Sequence, residues 1–278
     1  MIDDADSLRR KLTGLTGPAR TQTLCELARV LGDRYWRTGP GNARGLPDLE
    51  EAIGLLDEAY GYFQPGDGLR GAVAAQLGSM LTARFSGHGG PEHDRERAIA
   101  LLSEGLDSPR LSPPMVAGAH GMIGQLHLSR CGSGMRQGAM SLAVGRDNPS
   151  QVEAAHKAVE HFRAALAGPQ LSSEMTEVFT AMLAMAEGMV KTLSGHVFNM
   201  SGMIQAMQTL QRLQKQGIGP GMGSIFTMGQ RMADTDPLDR AVPVFDGPIP
   251  APRNPRPAPP QGTPPRPRTA TPPSATPP

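Results

Sequence analysis

A five-residue pattern centred on a small residue returns at a fixed step, and that recurrence limits the chain to an architecture of similar stacked units. Leu31-Gly32-Asp33-Arg34-Tyr35 aligns with Leu77-Gly78-Ser79-Met80-Leu81 and then with Ile123-Gly124-Gln125-Leu126-His127, at a step of 46 residues both times. A large aliphatic residue precedes each glycine and a large side chain follows three positions after it. Such spacing puts all three on one strip of helix surface. A second pattern keeps a fixed offset from the first. Ala52-Ile53-Gly54-Leu55-Leu56-Asp57-Glu58-Ala59 begins 20 residues after Gly32, and Ala98-Ile99-Ala100-Leu101-Leu102-Ser103-Glu104-Gly105 begins 20 after Gly78. The third copy, Ala158-Val159-Glu160-His161-Phe162-Arg163-Ala164-Ala165, comes 34 residues after Gly124, so about 14 residues are inserted. The Gly-rich stretch Gly132 to Ser150 is the expected place for them. In a fourth copy Ala186 takes the glycine position, and Ala206 with Leu210 follows at the same offset of 20.

The expected fold is all-α: four helical hairpins whose apolar stripes cannot be buried singly, stacked into an α-solenoid with one shared core. Gly32, Gly78, Gly124, Ala52, Ala98, Ala158 and Ala206 are the expected close-contact positions. Leu31, Leu77, Tyr35, Leu81, Leu56, Leu102, Phe162 and Leu210 are the side chains expected to fill the space beside them. Composition agrees with helices. Aromatic residues make up only 4% of the chain, so Leu, Ala, Met, Ile and Val must build the core. Long alternating runs of β-branched residues are hard to find.

The motif Leu31-Gly32-x-x-Tyr35 followed by Ala52-x-x-x-Leu56-x-x-Ala59 resembles the tetratricopeptide repeat (TPR), and Ala158-x-x-x-Phe162-x-x-Ala165 matches the second half of that repeat. The usual TPR period is about 34 residues, and here each connection between first and second helix is longer by about eight. In that stretched form the array, over residues 20 to 215, is similar to the helical repeats that precede CHAT peptidase domains in bacterial proteins. The α/β sequence that would carry the catalytic His and Cys of such a peptidase is absent from this chain. The resemblance implies an interaction scaffold, or alternatively the regulatory or sensor part of a CHAT-like system.

The expected organisation is a lead-in helix over 1–19, the repeat domain over 20–216, an irregular cap or linker over 217–246, and a disordered Pro/Arg-rich tail over 247–278. The last 32 residues contain 14 prolines, which precludes a packed core there and suits a polyproline II ligand or a spacer. Arg37 to Pro47 and Ser86 to Asp94 read as long connections projecting from one edge. The apolar run Ile225-Phe226-Thr227-Met228 reads as a cap on the last hairpin.

A formal net charge of +1 supplies no basic field for nucleic acid. Neither a signal peptide nor an apolar run long enough to cross a membrane is evident, and two cysteines in a chain this long make no disulfide framework. A cytoplasmic location is expected. No phosphate-cradling loop, zinc-hydrolase helix or serine elbow is present. His120, His127 and Cys131 fall near one line of a helix, but two turns separate the first pair, too far for a shared ion. His127 and Cys131 alone are spaced for one ion but lack a third ligand, and His156 and His161 lie on different helix faces. The expectation is therefore no catalytic residue, cofactor or metal, and a protein or peptide partner held along the first helices. The methionines Met175, Met182, Met185, Met189, Met200, Met203 and Met207 are expected to pack the last hairpin, some of them lining a peptide groove.

Overall fold

A computed structural model describes residues 4–136, 149–168, 171–194 and 200–215. The cap and tail expected over 217–278, the run Ile225 to Met228 included, lie outside the described residues. Among those described there is no strand. The elements in chain order are α1 (Asp4–Leu12), α2 (Gly17–Thr38), a 3-10 turn (Ala43–Gly45), α3 (Leu46–Tyr62), α4 (Gly68–His88), α5 (Glu92–Leu106), α6 (Pro113–Arg136), α7 (Pro149–Ala167), α8 (Ser173–Leu193) and α9 (Met200–Lys215).

Local chemistry sets several of these boundaries. The Asp67 carboxylate accepts from the Leu69 N–H at 3.0 Å at the start of α4, and the Ser172 hydroxyl accepts from the Met175 N–H at 3.2 Å at the start of α8. Each satisfies a backbone donor that the first helical turn leaves free. Pro47 sits in the first turn of α3, where its missing N–H costs nothing. At the other end of α4, Gly89 takes φ 66° and the Gly90 N–H donates to the Arg84 carbonyl at 3.1 Å. This left-handed closure favours glycine.

Consecutive helices pair antiparallel. Along α4, Gly71, Ala75 and Gly78 meet Ser108, Gly105 and Leu102 in descending order. Arg34 pairs with Asp48 and Arg20 with Glu58 across α2 and α3. Across α6 and α7, Gly124 meets Phe162, and the Cys131 thiol donates to the Gln151 carbonyl. The pairs α4–α5, α6–α7 and α2–α3 pack most extensively, α3–α4 and α5–α6 join one pair to the next less extensively, and α8 packs more on α7 than on α9. First helices of successive pairs also touch: Gly32 of α2 faces Met80 of α4, and Gly121 of α6 faces Phe179 of α8.

That layering buries α4 on every side. Each residue from Gly71 to Ala83 is buried, and α6 is buried from Ala117 to Leu128 except for half-buried His120 and Gln125. A helix without a polar face belongs in an interior, and small residues such as Gly71, Ala72, Ala74, Ala75, Gly78 and Ser79 let its neighbours approach closely.

The helices run further into the expected connections than their composition suggests. Of the stretch Ser86 to Asp94, α4 extends through His88 and α5 begins at Glu92, so only three residues connect them. The cause is Asp94, which is 1% exposed and takes a bidentate pair from Arg84, both distances 2.7 Å. The expected projection of that connection is therefore replaced by a tight, salt-bridged corner. Arg37 to Pro47 is likewise shortened by the end of α2, the 3-10 turn and the start of α3. Of Gly132 to Ser150, residues through Arg136 and from Pro149 are helical, and 137–148 lie outside the described residues. At the N-terminus α2 starts at Gly17, and α1 contributes Ala5 and Leu12 to the core. Arg9 fixes α1 to α3 through Glu51 at 2.7 Å.

Candidate functional site

The repeat positions are interior ones. Leu31, Tyr35, Ala52, Leu56, Leu77, Leu81, Ala98, Leu102, Ala158, Phe162 and Ala206 are buried, as are Gly32, Gly78 and Gly124, while Leu210 is half-buried. A β-carbon on Gly78 would lie 2.8 Å from Leu102 Cγ, and one on Gly124 would lie 2.9 Å from Phe162 Cε1. The same register thus serves both pairs. Gly32 departs from it. Its neighbour is not Leu56 of its own pair but Met80 Cε, at 3.0 Å, because the flexible thioether reaches across from α4. Leu56 lines a small cleft together with Gly32, Met80, Ala28, Trp36 and Gln76.

Of the side chains able to do chemistry, three histidines converge at the contact of α6 and α7. His120 Nδ1 and His161 Nδ1 are 3.0 Å apart. The His127 ring stacks against that of His161, centroids 5.9 Å apart and planes inclined by 23°. The sequence pattern grouped His127 with Cys131, but the thiol turns to the His127 and Gln151 carbonyls and the third ring comes from α7. A signal for this existed: the repeat register that puts Leu102 against Gly78 puts Phe162 against Gly124, and so carries His161 onto the face of α6 between His120 and His127. His156, on the same helix, is exposed.

Burial dominates the electrostatics of the cluster. It pushes His127 down to about 4, aided by the neighbouring His161, Lys157 and Arg130, and His161 also down to about 4, aided by His120. His120 is lowered by burial as well. The rings are therefore neutral at pH 7. One proton between the two Nδ1 atoms makes their contact a hydrogen bond. His127 Nδ1 is buried with no hydrogen-bond partner. Among the described residues, no group of three or more His, Cys, Asp or Glu is arranged to hold a metal ion.

The cysteines are poorly suited to nucleophilic work. Burial pushes Cys25 up to about 12 and Cys131 up to about 11, so even Cys131 is thiolate in only about one molecule per thousand at pH 8. Both thiols are expected to react with an aromatic disulfide reagent only as fast as the chain opens, and completely in denaturant. Stoichiometric reaction of the folded protein within seconds would contradict that assignment.

A different kind of feature occupies the last pair. On α9, Ile204 is 46% exposed and Met207 45%, while Ala206 and Leu213 face inward. Met175 is buried, and Met182, Met185 and Met189 pack against the core. The side chains of Met200 and Met203 lie outside the described residues.

Among the described residues no helix is long and apolar enough to cross a membrane. Comparison with known protein families, with curated protein sequences and with solved structures finds no match.

Proposed function

We propose that the chain is a TPR-like α-solenoid acting as a non-catalytic scaffold, and that it binds a protein partner through the α9 end of the array. The observation that carries this reading is the adjacent pair Ile204 and Met207. Residues three apart on a helix form one patch, and Tyr62 is the other large apolar side chain exposed among the described residues. A groove along the first helices, the expectation from sequence, has no room at the centre of the array, because α4 is enclosed from Gly71 to Ala83. The fitting partner presents an apolar stripe of its own, such as an amphipathic helix laid against α9. The repeat supplies the rigid support and the terminal helix supplies the contact.

The test compares full-length protein with Ile204→Asp, Met207→Asp and Tyr62→Asp variants in affinity capture, followed by rebinding of the purified partner. Both α9 variants are expected to weaken rebinding by roughly tenfold or more, with Tyr62→Asp unchanged. Equal affinity in correctly folded α9 variants would overturn the reading.

A further inference from the structure

We infer that His120 and His161 form a binding site for a divalent cation of the imidazole-preferring kind, with Zn2+ the probe of choice, where α6 packs on α7. The separation of the two nitrogens already matches that of two ligands on one ion. Imidazole nitrogens lie about 2.0 to 2.1 Å from zinc, so two of them at angles between octahedral and tetrahedral are about 2.9 to 3.4 Å apart. The observed Nδ1 separation is 3.0 Å. Helices that cannot easily part hold the two rings, since Gly124 of α6 is pressed against Phe162, the residue next to His161. Both rings are half-buried, which leaves the cation a way in while the cluster limits competition from water.

His127 is the second, independent indication. Its ring lies against His161 and its Nδ1 is buried without a partner, a costly state for a polar atom that ligation by that nitrogen itself would relieve. In the structure it stands outside the pair, so two ligands are in place and the remaining positions fall to water or to His127 after rotation. The charged groups that act on the cluster are Lys157, Arg130, Glu96 and Glu160, two of each sign. Binding is proton-neutral: the hydrogen shared between the Nδ1 atoms is lost from that position and carried on Nε2, leaving each ring with one N–H. Among the common divalent metals, an imidazole pair favours copper, nickel and zinc over magnesium or calcium.

The experiment uses chelator-treated full-length protein titrated with Zn2+ alone in a calorimeter, with the shift of the thermal transition as a second readout. The expected result is one saturable equivalent and a raised transition temperature, since a ligand selective for the folded state stabilises it. His120→Gln and His161→Gln, with folding checked by circular dichroism, should each weaken binding by about tenfold or more and lose the thermal shift. His156→Gln, an exposed histidine on the same helix, should behave as wild type. If the wild type shows no saturable binding, or if both cluster variants bind like wild type, the contact is a hydrogen-bonded pair only and the inference is wrong. Should one cluster variant fail to fold, the other decides.

Discussion

Replacing Asp94 by Ala is expected to destabilise the protein by about 3 kcal/mol, measured by urea denaturation followed at the helical circular-dichroism band. Asp94 is almost wholly buried and holds Arg84 by two hydrogen bonds of 2.7 Å. Removing it leaves a guanidinium, itself only 20% exposed, with Glu50 as its remaining carboxylate at 2.7 Å. Breaking a buried pair from one side typically costs about 3 to 5 kcal/mol, and the surviving Glu50 contact places this case at the lower end. Asp57→Ala serves as the contrast. Asp57 pairs with Arg97 at the surface, where both side chains are more than one third exposed, and such pairs are worth about 1 kcal/mol or less. Equal losses for the two variants would show that the α4–α5 corner is not fixed by Asp94.

The second large effect concerns glycine. A β-carbon on Gly121 would overlap Phe179 Cε1 and lie 2.6 Å from Cζ, and Phe179 is fully buried. Gly121→Leu is therefore expected to cost about 3 kcal/mol or more, because the ring cannot move without disturbing α8. Gly78→Leu, whose first β-carbon contact is Leu102 Cγ at 2.8 Å, should cost about 1 to 3 kcal/mol. Gly61→Ala meets nothing within 4 Å and should be neutral or slightly stabilising, as alanine is the better helix former. Urea midpoints across the three variants check the order. A mild Gly121→Leu would mean that α6 and α8 do not touch there.

These two cases mark the boundary between what was legible in the sequence and what was not. Gly78 and Gly124 were legible because both stand in the recurring sequence pattern, and each meets a large side chain of the next helix, Leu102 and Phe162. Gly121 makes a contact between first helices that no repeat of the motif encodes, and Met80 displaced the expected neighbour of Gly32 through the reach of one unbranched side chain. Asp94 was hidden for another reason. Its surroundings, rich in Gly, His and Pro, have the composition of a loop, and the tertiary pairing with Arg84 buries Asp94 in the first turn of a helix there. The histidine cluster lay between these extremes: spacing along α6 paired His127 with Cys131, whereas the register between α6 and α7 was already sufficient to bring in His161. The open pair on α9 was legible only in part: Met207 stood among the methionines expected to pack the last hairpin or line a groove, but Ile204 did not, since which side of the helix the neighbouring α8 covers separates both from the buried Ala206.

Hydrogen exchange of the full-length protein, resolved by peptide, tests the central claim most directly, namely that the helix pairs enclose α4 and α6 and leave α9, the last helix among the described residues, more open. Amides buried in a cooperative core exchange only by large-scale opening, whereas those in a thinly packed terminal element exchange by local opening. The slowest exchange is expected across Gly71 to Ala83 of α4 and Ala117 to Leu128 of α6, and markedly faster exchange across Met200 to Lys215 of α9. Exchange in α4 as fast as in α9 would contradict the enclosure of α4, and with it the ground for the proposed binding at the α9 end.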